Sequence, residues 1–164
     1  MIENKIIVTL AGEGSRFIEQ GYIEPKYMLP ITINSKKKRI IEFILDGIFN
    51  IIRPSQEVNI ILNIQNYSQV KEYFSEFINK NNNKNRIKIK FIPLQNGQSY
   101  SVLSAFDFSK KDHGFVVFNG DTIVDLNPIK KNILEISNSV STFLSNSNEY
   151  SYISIKGKGG ISKI

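Results

Sequence analysis

The sequence contains no cysteine, so it forms no disulfide and offers no thiolate to a metal. It has a single histidine, His113, in a Lys110-Lys111-Asp112 run that reads as a surface loop. That placement suits a solvent-exposed side chain better than a catalytic one. No stretch of about 18 apolar residues occurs, which excludes a membrane-spanning helix. The start, Met1 to Leu10, has too short an apolar stretch and no cleavage site for a signal peptide. These absences together predict a cytoplasmic protein. The net charge of +6 comes from lysines spread along the chain. Only Lys36, Lys37, Lys38 and Arg39 are tightly clustered. A nucleic-acid footprint needs more concentrated charge, so no nucleic-acid partner is expected. A modest positive field still favours an anionic substrate.

The 164 residues fit one domain, expected to span 1–164, with enough chain for a real core. Lys5 to Leu10 is a β-branched run ending at a glycine-rich turn, and reads as a buried strand. A long loop is expected from Ala11 to Pro30, punctuated by glycine and proline. Arg39 to Ile52 places Ile40, Phe43, Ile44, Gly47 and Ile48 on one helical face, with Pro54 as the stop. Glu57 to Leu62 is a second strand, and Tyr67 to Lys80 a helix. Arg86 to Ile92 alternates lysine and arginine with isoleucine and phenylalanine, the pattern of a strand with one wet face. Gln98 to Phe108 reads as a helix and Gly114 to Asn119 as another buried strand. Asn127 to Ser137 reads as a short helix with Pro128 in its first turn. Val140 to Leu144 is a weaker strand, and a hairpin is expected around Lys158-Gly159-Gly160. Alternating strands and helices imply an α/β fold, a mostly parallel sheet flanked by helices.

Four short segments could carry chemistry. In Leu10-Ala11-Gly12-Glu13-Gly14-Ser15-Arg16-Phe17, the glycines let the backbone turn sharply and its N–H groups face an anion. Arg16 adds a bidentate phosphate donor. In Glu24-Pro25-Lys26-Tyr27-Met28-Leu29-Pro30, two prolines stiffen a loop that holds the Lys26 ammonium as a point charge. Gln95-Asn96-Gly97 offers an amide for a base edge and a glycine against which a flat base can lie. Asn119-Gly120-Asp121 puts a carboxylate at the end of a strand, where open α/β sheets bind ligands and where Mg²⁺ finds the hard oxygen it prefers. Each segment taken alone fits a plain turn equally well.

The order and spacing of the four resemble the sugar nucleotidyltransferase family, which includes cytidylyltransferases for phosphorylated alcohols. The resemblance covers nearly the whole chain, with its specific motifs between Leu10 and Asp121. It implies a Rossmann-like domain of the glycosyltransferase-A type. It further implies a nucleotide-binding loop of Leu10, Ala11, Gly12, Gly14 and Ser15, with Arg16 and Lys26 as the catalytic cations. Gln95 and Gly97 would read the base and Asp121 would bind Mg²⁺. The expected reaction moves an NMP from an NTP onto a phosphorylated sugar or small alcohol and releases pyrophosphate, serving surface-polysaccharide precursors. Such chemistry needs positioning and charge neutralisation more than a covalent intermediate. The partners implied are an NTP and a phosphorylated acceptor, with no membrane; a homo-oligomer is left open.

Two departures bear on this expectation. Tyr27 stands where the family has a second proline after the lysine. Family members also continue, after the last hairpin, into a Glu-Lys motif, an acceptor-binding half and a second metal-binding aspartate. Ile164 falls before these, so the expectation is a domain incomplete at its C-terminus, with nucleotide binding weakened and turnover poor or absent. The alternative is a catalytically inactive module that holds a nucleotide or a partner subunit.

Overall fold

A computed structural model describes residues 4–80, 82–106, 114–130, 154–156 and 160–163. Its centre is a four-stranded sheet of β1 (Lys5–Leu10), β4 (Val58–Asn63), β5 (Ile87–Ile92) and β6 (Phe115–Asn119). The strand order is β5-β4-β1-β6, and every neighbouring pair is parallel. Chain order therefore runs outward from β1 to β5 on one side, then returns to the far side of β1 for β6. The order reverses between β1 and β6. Just outside the carboxyl ends of two such strands, an open α/β sheet leaves a crevice.

Parallel strands need crossovers, and helices supply them. Helix α2 (Ile40–Ile51) buries Ile41, Leu45 and Ile48, spaced so that they share one stripe. Its first turn is tied by Glu42, whose Oε2 accepts the Arg39 backbone N–H at 2.7 Å. Helix α3 (Tyr67–Lys80) buries Val70 and Phe74, one turn apart. Both helices join one cluster with Ile6, Val8, Leu10, Val58, Ile60 and Leu62 of the sheet. The intervening strand residues point to the other face. There Ile7, Ile61 and Ile92 meet Val102 and Ala105 of helix α4 (Gln98–Ala105).

Several expectations change in the structure. The predicted loop from Ala11 to Pro30 contains helix α1 (Ser15–Glu19) and a single 3-10 turn at Lys26–Met28. It is followed by an antiparallel hairpin of β2 (Pro30–Ile33) and β3 (Lys36–Arg39). The lysine cluster Lys36–Arg39 is thus a strand. Asn34 and Ser35 make its reversal with φ of 48° and 62°. That geometry is the hairpin turn of the primed type, in which asparagine is tolerated and glycine more usual. β6 is an edge strand of the described sheet, and Val117 is 42% exposed. It is therefore only half-buried, because an edge lacks a neighbour on one side. The remaining elements fall within one or two residues of expectation, except that α4 ends at Ala105, with extended backbone at Phe106, short of the expected end at Phe108. The antiparallel pair β7 (Ser154–Lys156) and β8 (Gly160–Lys163) matches the expected hairpin. His113, the strand expected at Val140–Leu144 and most of the helix expected from Asn127 lie outside the described residues; Asn127–Ile129 is a 3-10 turn. No helix among the described residues is long and apolar enough to cross a membrane.

Candidate functional site

A cleft of about 540 Å³ opens at the carboxyl ends of β1 and β6, at the point where the strand order reverses. Its size is that of a small-molecule site. Its walls come from segments far apart in sequence. The turn after β1 supplies Leu10, Ala11, Gly12 and Gly14. The proline-flanked loop supplies Lys26, the turn before α4 supplies Gln95 and Gly97, and the turn after β6 supplies Asp121. Eight of the ten residues expected at the site therefore meet around one space.

Local backbone explains why the glycines are there. Gly14 has φ 69° and caps α1, its carbonyl accepting N–H groups from Phe17 and Ile18. Gly97 has φ 103° and ψ 170°, a conformation open essentially to glycine alone. Gly120 is small for a different reason. A Cβ there would lie 2.4 Å from Leu10 Cδ2 and 2.9 Å from the Thr9 carbonyl oxygen. Its N–H donates to that same carbonyl at 3.1 Å. The β6 turn is thereby pressed against the end of β1, which fixes where Asp121 emerges.

The two charges meet. Lys26 Nζ lies 3.0 Å from Asp121 Oδ2, joining segments 95 residues apart. Asp121 Oδ1 accepts from the Thr122 hydroxyl at 3.0 Å. Lys26 also sits over the Phe17 ring, 5.4 Å from its centroid. Both charged side chains keep about a third of their surface exposed. A ligand can therefore reach them from the cleft. The loop bearing Lys26 is anchored from behind by Arg39, whose Nη1 donates to the Met28 carbonyl and whose guanidinium stacks on Tyr73 at 4.8 Å. Beside Lys26, the Tyr27 ring is buried in the core. Burial pushes its phenol up to about 12, with the Asn66 side chain pulling the other way.

Arg16 and Ser15 are not among the residues lining this cleft. Both lie in the first turn of α1 and are exposed. The physical reason is the helix itself. Once Gly14 starts a helical turn, the next two side chains project from its outer surface instead of curling back over the glycines.

Sequence reasoning missed a polar floor. Thr9, Gln98 and Ser101 line the cleft beneath the glycine turns. The signals were present. Thr9 is the one hydroxyl in the otherwise apolar buried run from Ile6 to Leu10, and Gln98 and Ser101 stand three apart on a helix beginning right after Gly97. Among the described residues, no group of three or more histidine, cysteine, aspartate or glutamate side chains could hold a metal by itself. Compared with protein-family models and with curated proteins, the chain has no match.

Proposed function

We propose that this protein binds a nucleoside triphosphate with Mg²⁺ in the β1/β6 cleft and transfers its nucleotidyl group to a phosphorylated sugar or small alcohol. The domain would then be of the glycosyltransferase-A type. The observation that carries this reading is the Lys26–Asp121 pair, brought to 3.0 Å across 95 residues at the mouth of a glycine-lined cleft. A cation and a carboxylate beside a glycine turn, whose backbone N–H groups can face an anion, form the set a metal-bound triphosphate requires.

The donor set fits Mg²⁺ in a particular way. Mg²⁺ is held by one or two carboxylates together with substrate phosphate oxygens. Asp121 supplies one carboxylate, so the ion would arrive with the nucleotide rather than bind alone. When bound, Mg²⁺ neutralises charge on the phosphate oxygens. The chain's own groups do the rest. Gly12 and Gly14 let the backbone approach the phosphates, and nothing stands within 4 Å of where a Cβ would be at either. Lys26, released from Asp121, would neutralise the α-phosphate. An oxygen of the acceptor phosphate attacks the α-phosphorus in line, the bond to the β-phosphate bridging oxygen breaks, and pyrophosphate leaves with the electron pair.

A second reading, nucleotide binding without turnover, is favoured by the position of Arg16 away from the cleft. Titration calorimetry with each of the four NTPs and Mg²⁺, followed by pyrophosphate release with phosphorylated sugars and alcohols, separates the two. Saturable binding with no pyrophosphate release leaves the second reading. No binding of any NTP overturns both.

A further inference from the structure

The chain contains the dipeptide Asn-Gly twice, as Asn96-Gly97 and Asn119-Gly120. Asn96, Gly97 and Asn119 all line the cleft. In this dipeptide the backbone nitrogen of glycine can attack the asparagine side chain, because no Cβ shields the approach. The attack needs that nitrogen free of its hydrogen bond and the asparagine free to turn toward it.

The two pairs are held differently. Gly120 is buried, and its N–H donates to the Thr9 carbonyl of the neighbouring strand at 3.1 Å. A Cβ there would lie 2.4 Å from Leu10 Cδ2, so the turn has no room to shift. Asn119 ends β6 in register with Thr9, and its side-chain amide donates to Thr122 Oγ1 at 3.4 Å. Freeing the Gly120 nitrogen therefore means parting the end of β6 from β1. Gly97 is exposed in the turn before α4, with nothing within 4 Å of where a Cβ would be. Its N–H donates to the Gln95 carbonyl, two residues back, at 2.9 Å. Such a three-residue turn opens by rotation within itself and parts no strand or helix. Asn96 is exposed, and its carboxamide has no hydrogen bond to another described residue.

We infer that Asn96 is a site of spontaneous deamidation in the wall of the cleft, and that the β1–β6 contact protects Asn119 from the same reaction. The Gly97 nitrogen gives up its proton and bonds to Asn96 Cγ, closing a succinimide ring. The bond from Cγ to the side-chain nitrogen breaks, and that nitrogen leaves as ammonia, carrying the proton. Water then adds to one of the two imide carbonyls, and the ring opens to aspartate or isoaspartate. A neutral amide on the cleft wall becomes a carboxylate. Resting on the proposed nucleotide site, a further consequence is that the modified cleft holds polyphosphate less well, because the new charge repels it.

The test is to age the whole chain in mildly alkaline buffer and map aspartate and isoaspartate by mass spectrometry of its peptides, folded and in denaturant. In the folded chain Asn96 should convert about tenfold or more faster than Asn119. In denaturant, where both nitrogens are free, the two rates should come within about threefold of each other. Asn119 keeping pace with Asn96 in the folded chain overturns the inference. So does an Asn96 that converts only in denaturant. Asn96→Gln should abolish the fast conversion, since its longer side chain would have to close a larger ring. The consequence is read by titrating inorganic tripolyphosphate into the Asn96→Asp variant. Affinity should fall about threefold or more at low salt, with the difference shrinking at high salt. Unchanged affinity overturns the consequence and leaves the modification standing. Failure of the unmodified chain to bind tripolyphosphate overturns the consequence together with the proposed site, and the peptide map still decides the modification.

Discussion

The two faces of the central sheet are built differently. Among the described residues, one face is covered by α2 and α3, and its cluster joins twenty buried residues from Ile6 to Leu126. The other is covered by α4, with six of the described residues. Along β1 the contrast is residue by residue. Ile6, Val8 and Leu10 point into the large cluster, whereas Ile7, Thr9 and Ala11 point toward α4 and the cleft. A hydroxyl is tolerated at Thr9 because that face also carries Gln98 to pair with it. Among the described residues, most buried apolar side chains lie on the thick face, and the cleft opens on the thin one.

That division is broken most directly by a cavity on the thick face. Leu45 is fully buried in α2, and Leu45→Ala should cost about 2–5 kcal/mol in chemical denaturation. On the thin face, Val102 lies at the margin of a small cluster, and Val102→Ala should cost about 1 kcal/mol. Equal costs would show that the sheet has no thick side in energetic terms.

The next largest effect lies where the two faces meet. Gly120→Ala places a methyl group against Leu10 and the Thr9 carbonyl, so β1 or the β6 turn must move. Overpacking of this kind costs about 1–3 kcal/mol. It should also shift Asp121 and weaken Mg²⁺–NTP binding. Gly12→Ala meets open space and should disturb stability far less.

The thick face also sets an alkaline limit. Below pH 10, the ordinary value for tyrosine, the Tyr27 phenol is neutral in both folded and unfolded chains, and its contribution is complete. Between pH 10 and about 12 the unfolded chain ionises while the buried phenol stays protonated. Stability should therefore fall across that window. Denaturation midpoints measured from pH 9 to 12 should decline more gently in Tyr27→Phe. Tyr73, whose phenol is also raised by burial and by Glu42, leaves a residual slope.

The thick face was legible in sequence because it is periodic. Ile41, Leu45 and Ile48 repeat at helical spacing, and the β-branched runs of β1 and β4 declare themselves. Glycine and proline marked the turns that line the cleft. What escaped was what periodicity does not encode. The β2–β3 hairpin is written in lysines of low strand propensity and held by a turn without glycine. Which way Arg16 projects depends on whether Gly14 opens a loop or a helix, and a GxG pattern is compatible with both. Thr9 and Gln98 are 89 residues apart, so their pairing exists only once the sheet has formed.

The finest comparison is between the two cations expected to act together. Lys26 lies in the cleft against Asp121, and Arg16 stands outside it on α1. A half-exposed ion pair contributes only about 0–1 kcal/mol to folding, so Lys26→Met should leave the melting temperature nearly unchanged. Its effect should appear in binding, because the ammonium faces the position proposed for the phosphates. We expect Mg²⁺–NTP affinity to fall about tenfold or more, since a charge-assisted contact to phosphate is among the stronger hydrogen bonds. Arg16→Ala should change stability by less than about 0.5 kcal/mol, as exposed substitutions do. Its effect on affinity should be smaller than that of Lys26→Met. If the arginine variant loses more affinity than the lysine variant, α1 must swing its outer surface over the cleft when nucleotide binds. The glycine turn would then be a hinge, and the geometry at Gly14, open to a left-handed backbone with nothing packed against it, is what such a hinge would require.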